Sequence, residues 1–245
     1  MERKNYFVLI FFLLLCLSLQ ANYNALIYDA FINNKMSQWQ TTIDNMQIQK
    51  NKSKENTLSL INYQYGYIAW CISNKKNKEA EKYLTLAEKN TELLEEINFR
   101  PSYTKAYRAA FYGFRIGLTP YKAPFLGPKS IDNAKSAMQL DKNNPYGYMQ
   151  YGNALYYMPA MFGGSKTEAM KYFKKAQVLM EVNKNSSKDW NYLNLLTIIA
   201  KGHSDLQEYK QAKGYYEKIL SIAPNFTWVK ETLYPEIIKK TNNEK

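Results

Sequence analysis

Residues 112–140, YGFRIGLTPYKAPFLGPKSIDNAKSAMQL, and residues 151–179, YGNALYYMPAMFGGSKTEAMKYFKKAQVL, are two copies of one pattern. A shift of 39 positions lays Tyr112-Gly113 on Tyr151-Gly152, Pro120 on Pro159, Ala137 on Ala176 and Leu140 on Leu179. Each copy reads as a helix carrying an aromatic-Gly pair, a proline that ends it, and a second helix bearing alanines. The small residues have a physical task in this arrangement, because the distance between packed helices is set by the side chains at their contact.

Outward from these copies the chain reads as helix nearly everywhere, and no run alternates like a strand. Met36, Trp39, Ile43 and Met46 recur at three and four, the stripe of an amphipathic helix. Further helices are expected at about 57–73, 78–97, 101 onward, 129–140, 145 to near Pro159, 166–182, 188–201, 206–222 and 227–240. Pro101 and Pro145 stand where a first-turn proline belongs. Long loops are expected over Pro120–Pro128 and, as PAMFGG, over Pro159–Gly164.

A period of this length in paired helices is the signature of a stacked array, and the segments resemble tetratricopeptide repeats. Four copies carry the resemblance. The first has Ala80, Leu84 and Ala87 in its second helix, with Gly66 out of register. The copy at 107–141 has Ser130, Ala134 and Ala137. The copy at 146–182 has Tyr151-Gly152 followed by Ala169, Phe173 and Ala176. The last, 187–224, has Ala212, Tyr216, Ile219 and the closing Pro224.

The resemblance implies an all-α fold, a right-handed superhelix of antiparallel helix pairs, with residues 22–245 as one repeat domain. It places function on the concave face made by the first helix of each pair. The face-lining positions carry over as Tyr107, Ala110, Phe114 and Gly117, then Tyr146, Met149, Asn153 and Tyr156, then Asn194, Thr197, Lys201 and Ser204. That is a groove grading from rings to polar groups, suited to an extended or helical peptide.

The chain has 245 residues, 46% hydrophobic and 22% charged, which is the composition of a folded protein. Two cysteines exclude a disulfide scaffold. The net charge of +12 raises the question of nucleic acid, yet arginine occurs only at Arg3, Arg100, Arg108 and Arg115. Phosphate and base-edge recognition favours the planar guanidinium fork, so the lysine excess reads as solvated surface that suits an acidic protein or peptide partner.

Residues 1–21, MERKNYFVLIFFLLLCLSLQA, read as a signal peptide, with Arg3 and Lys4 before an apolar run from Tyr6 to Leu19 and Ala21 at the cleavage point. The expected location is therefore the periplasm or the exterior. Leu13-Leu14-Leu15-Cys16 has part of a lipoprotein pattern but lacks the small residue before the cysteine, so membrane attachment is confined to the leader or to a lipid on Cys16.

Catalytic patterns are poor. His203 is the only histidine, which removes His-rich metal sites and leaves a Cys71–His203 pair as the sole thiol–imidazole combination after cleavage. Glu92, Glu95 and Glu96 form a solvated face without a partner acid across a cleft. Gly163-Gly164-Ser165-Lys166 lacks the spacing of a phosphate loop. The expectation is a non-catalytic protein–protein interaction scaffold of the cell envelope, without cofactor or metal. The alternative is a periplasmic small-solute binding or transport accessory protein.

Overall fold

A computed structural model describes residues 23–182 and 188–243. The leader and Cys16 lie outside the described residues. Every regular element among the described residues is helical: α1 (23–32), α2 (Met36–Ile48), α3 (Lys54–Ser73), α4 (Asn77–Glu96), α5 (Pro101–Leu118), α6 (Ala123–Leu140), α7 (Pro145–Tyr157), α8 (Lys166–Val182), α9 (Trp190–Asp205), α10 (Tyr209–Ile222) and α11 (Tyr234–Asn242). The pairs α3–α4, α5–α6, α7–α8 and α9–α10 are the four copies seen in the sequence. Two helices precede them and one follows.

The helix starts are chemically specified. Ser53 accepts from the Asn56 amide, Asn144 from that of Tyr146, and Asp189 from that of Asn191, each satisfying a donor that the helix leaves open. Asn144 does a second task. Its Nδ2 donates to Ser102 Oγ at 2.7 Å, and Ser102 donates to the Ala137 carbonyl at 2.9 Å. This chain of bonds ties the start of α5, the end of α6 and the start of α7 into one end of the solenoid. It follows that the α5–α6 and α7–α8 connections share the opposite end.

Three expectations change. The connection over 120–128 is not a long loop: after a 3-10 turn at Pro120–Lys122, α6 already begins at Ala123. Pro124 falls in the first turn, where no backbone donor is required. Residues 23–32 form a helix that its short stripe, Ile27 and Ala30, did not announce. In the last segment the turn at Val229–Leu233 is widened to a π-helix directly before Pro235. A proline removes one backbone donor and crowds the preceding turn, and the wider turn accommodates both effects.

Gly113 also departs from expectation. A Cβ added to Gly152 would lie 2.6 Å from the Phe173 ring, whereas one on Gly113 would meet nothing within 4 Å. The repeat-equivalent of Phe173 is Ala134, so no ring presses on that position. Close packing of α5 on α6 is made instead by Ala106, Ala109, Ala134 and Ala137, all buried, with Ser130 Oγ bonded to the Ala109 carbonyl at 2.8 Å.

One hydrophobic core runs from Ile27 to Ile237. In an ideal repeat array each unit touches only its neighbours. Here the array closes on itself. Phe31 of α1 packs on Trp190 of α9 and on Phe226, with centroids 5.8 and 4.8 Å apart, and Thr227 Oγ1 donates to the Ile32 carbonyl at 3.0 Å.

Candidate functional site: the concave face

The first helices α3, α5, α7 and α9 converge on a polar seam set in rings. Asn62 of α3 donates to Tyr107 Oη at 2.8 Å and to Asn191 Oδ1 at 2.9 Å. Its own oxygen accepts from Trp190 Nε1 at 3.1 Å and from Asn191 Nδ2 at 3.2 Å. All four residues are buried, so the amide is satisfied from three sides where no water reaches it. Gly66, one turn on, makes this possible: a Cβ there would come within 2.6 Å of Trp190 and 2.7 Å of Trp39.

Around the seam Tyr65 stacks on Phe114 at 5.4 Å, and Tyr146 packs on Tyr107 and Tyr103 at 5.8 and 5.6 Å. Burial pushes the phenols of Tyr107 and Tyr146 well above their ordinary value of 10.0, and raises that of Tyr65. Burial likewise raises Asp189, against the lowering effect of its bonds to Asn191 and Tyr192.

The sequence-chosen groove residues divide accordingly. Tyr107, Met149 and Thr197 are buried and belong to the interior, Thr197 spending its hydroxyl on the Leu193 carbonyl at 2.8 Å. Phe114, Tyr146, Asn153, Tyr156 and Asn194 are half-buried, and Lys201 is exposed. Of the positions assigned to the groove, Phe114, Tyr146, Asn153, Tyr156, Asn194 and Lys201 therefore keep accessible surface. Asn153 donates to Gln150 at 3.0 Å. Tyr156 is fixed from two sides, donating to Asp205 at 2.5 Å and lying under Lys166, whose ammonium is 5.3 Å from the ring centroid. Lys166 completes the group with an ion pair to Asp205 at 2.7 Å.

Sequence reasoning missed Asn62, Tyr65 and Gly66, whose importance comes from partners up to 129 positions away. It also missed an open depression of about 380 Å³ lined in part by Lys174, Gln177, His203, Tyr215 and Lys218, on the side made by α8, α9 and α10.

The two chemically reactive side chains are committed elsewhere. Cys71 is fully buried, and burial, with the Glu79 charge next, pushes its thiol up to about 12. His203 is buried, its Nδ1 held by Glu208 and its ring stacked on Tyr215 at 5.4 Å. No partner is common to both. Among the described residues no group of three His, Cys, Asp or Glu side chains is placed to hold a metal ion. Arg108 binds Glu95, and Arg115 reaches Glu88 and Glu81, so these arginines tie α5 to α4. No helix among the described residues is long and apolar enough to cross a membrane.

No protein-family model and no curated protein matches the chain. Solved structures do. The HusA haemophore from Porphyromonas gingivalis is similar with a TM-score of 0.57 at 17% identity, over 73% of this chain and 94% of that one. A thermophilic TPR protein of Thermus thermophilus is similar with a TM-score of 0.53 at 14% identity, over 86% of this chain and 90% of that one. At such identities the likeness speaks of fold, and it agrees with the helix pairing and small-residue contacts above: the chain has the all-α, tetratricopeptide-like repeat fold.

Proposed function

We propose that this chain is a non-catalytic binding protein of the cell envelope, exported by its leader, that holds a protein or peptide partner against the accessible part of its concave face. The observation that carries this reading is the fixed presentation of Phe114 and Tyr156. One is stacked on Tyr65 and the other clamped by Asp205 and Lys166, so both rings stand half-exposed at low entropic cost to a partner. Lys201, whose charge acts on Asp205, favours an acidic partner.

A second reading is carriage of a small solute in the periplasm, and the likeness to a haemophore favours it. Both readings are tested by crosslinking from native envelopes with the wild type and F114A/Y156A. Tyr107 and Met149 are left unchanged because both are core residues. A specific protein captured by the wild type and lost in the variant supports the first reading. Equal capture by both overturns it, and saturable haemin binding to the wild type without any protein adduct moves the assignment to the second.

A further inference from the structure

The connections α5–α6 and α7–α8 lie side by side at one end of the solenoid, and both are built unlike the rest of the surface. No residue from 120 to 129 or from 157 to 168 is buried. In these connections, in the first turn of α6 and at the last residue of α7 stand five large apolar side chains facing solvent: Tyr121 at 78% exposure, Phe125 at 75%, Tyr157 at 73%, Met161 at 83% and Phe162 at 66%. Tyr157 alone of the four rings touches another ring, that of Tyr156 at 5.0 Å.

The two segments carry only positive charge, with Asp132 and Glu168 just beyond them. Residues 119–131 and 156–167 contain Lys122, Lys129 and Lys166 and no acidic residue. Lys166 neutralises Asp205 from the next connection, while Lys122 and Lys129 have no ion-pair partner among the described residues. The α3–α4 connection adds the exposed Lys75 and Lys78.

We propose that this end of the solenoid docks on an anionic lipid surface, with Tyr121, Phe125, Met161 and Phe162 entering the interface and Lys122 and Lys129 at headgroup level. Protein partners concentrate their energy in packed pockets that receive anchors. Here the apolar groups project from segments without a fully buried residue, which is the geometry for insertion into a soft medium. Aromatic side chains favour the headgroup level, and lysines near an anionic surface each add about fivefold in affinity. The four inserting side chains, Lys122 and Lys129 are none of the residues proposed to hold the partner, so the inference does not depend on that function.

The test uses the full chain, so that the leader contributes equally to every variant. Partition is measured onto phosphatidylcholine vesicles with and without phosphatidylglycerol. The wild type is expected to bind the anionic vesicles at least about tenfold better than Y121S/F125S/M161S/F162S, and K122Q/K129Q to lose about 25-fold there and little on neutral lipid. All six positions are exposed, and circular dichroism confirms the fold of each variant.

As a reading local to the site, F162W is mixed with vesicles carrying spin-labelled lipid. The added indole is expected to shift to the blue and to be quenched. Equal partition of wild type and serine variant, or an indole that stays unquenched, overturns the proposal. A photoreactive residue at position 162 that labels a protein in native envelopes and no lipid overturns it as well, and assigns the surface to protein docking.

Discussion

Asn62 and Asn191, 129 positions apart, exchange their carboxamides across the axis of the solenoid, with N···O distances of 2.9 and 3.2 Å. This pair joins the first helix of the first copy to that of the last, turning an array of neighbour contacts into a closed body. Removing Asn62 leaves Tyr107 Oη, Trp190 Nε1 and Asn191 Oδ1 without these partners. N62A is expected to cost about 2–3 kcal/mol, the penalty for buried polar groups left without partners. A urea-melt cycle of N62A, N191A and the double variant checks it. The double variant should cost less than the sum of the singles, since the pair is coupled.

Gly66 and Gly113 both lie inside first helices, and alanine should act on them in opposite directions. G66A drives a methyl into two indoles and is expected to destabilise by about 1–3 kcal/mol. G113A meets open space and relieves the helix of a flexible residue, a gain of about 0.5–1 kcal/mol. Thermal or urea melts of the two variants side by side decide the matter. Equal effects would mean that Gly66 is not at a close approach.

Alkaline pH should unfold the protein through its buried acids. Burial pushes the Cys71 thiol from 9.0 up to about 12 and raises the phenols of Tyr65, Tyr107 and Tyr146 above 10.0. The folded state therefore keeps protons that the unfolded state releases, and stability falls as pH rises from about 9 upward. Urea midpoints measured from pH 7 to 11 should decline with that onset. At pH 8 the native thiol should resist alkylation until denaturant is added.

At the acid end Glu181 gives the opposite slope. Burial alone would raise its carboxyl, but bonds from Lys218, Tyr192 and Gln177 bring it down from 4.5 to about 2. Its contribution is present above pH 4.5 and is lost as pH falls toward 2. The pair with Lys218 is more than a third exposed, so E181Q is expected to cost less than about 1 kcal/mol at pH 7. The variant's melts should converge with those of the wild type near pH 2.

Much of the fold was legible in the sequence. The boundaries of α8 and the first-turn prolines of α5 and α7 agree with the residue pattern, as do Ala80, Ala134, Ala137, Ala169, Ala176 and Ala212, all fully buried. These features are local: a period of 3.6, a cap or a small side chain acts on its own turn or on the adjacent helix. Gly66 and Gly113 show where locality ends. The first lies outside the repeat register yet sits at one of the tightest approaches in the molecule, and the second lies within the register and contacts nothing.

The repeat pattern placed the candidate residues on first helices but carried no information on their exposure. Repeat arithmetic identifies Tyr107, Met149 and Thr197 as residues of the concave side, and they are on first helices. Whether that side is open depends on how small rotations between successive pairs accumulate, and no single repeat encodes the sum. By itself the sequence determined the paired helices of the four copies and most of the small residues at their contacts, because each follows from neighbours within one repeat. The tertiary structure alone decided that α1, α3 and α9 meet, that Tyr107, Met149 and Thr197 are buried, and that apolar side chains around two connections face solvent. Those outcomes rest on contacts such as Asn62 with Asn191 and Phe31 with Phe226, between residues whose separation along the chain leaves no periodic trace.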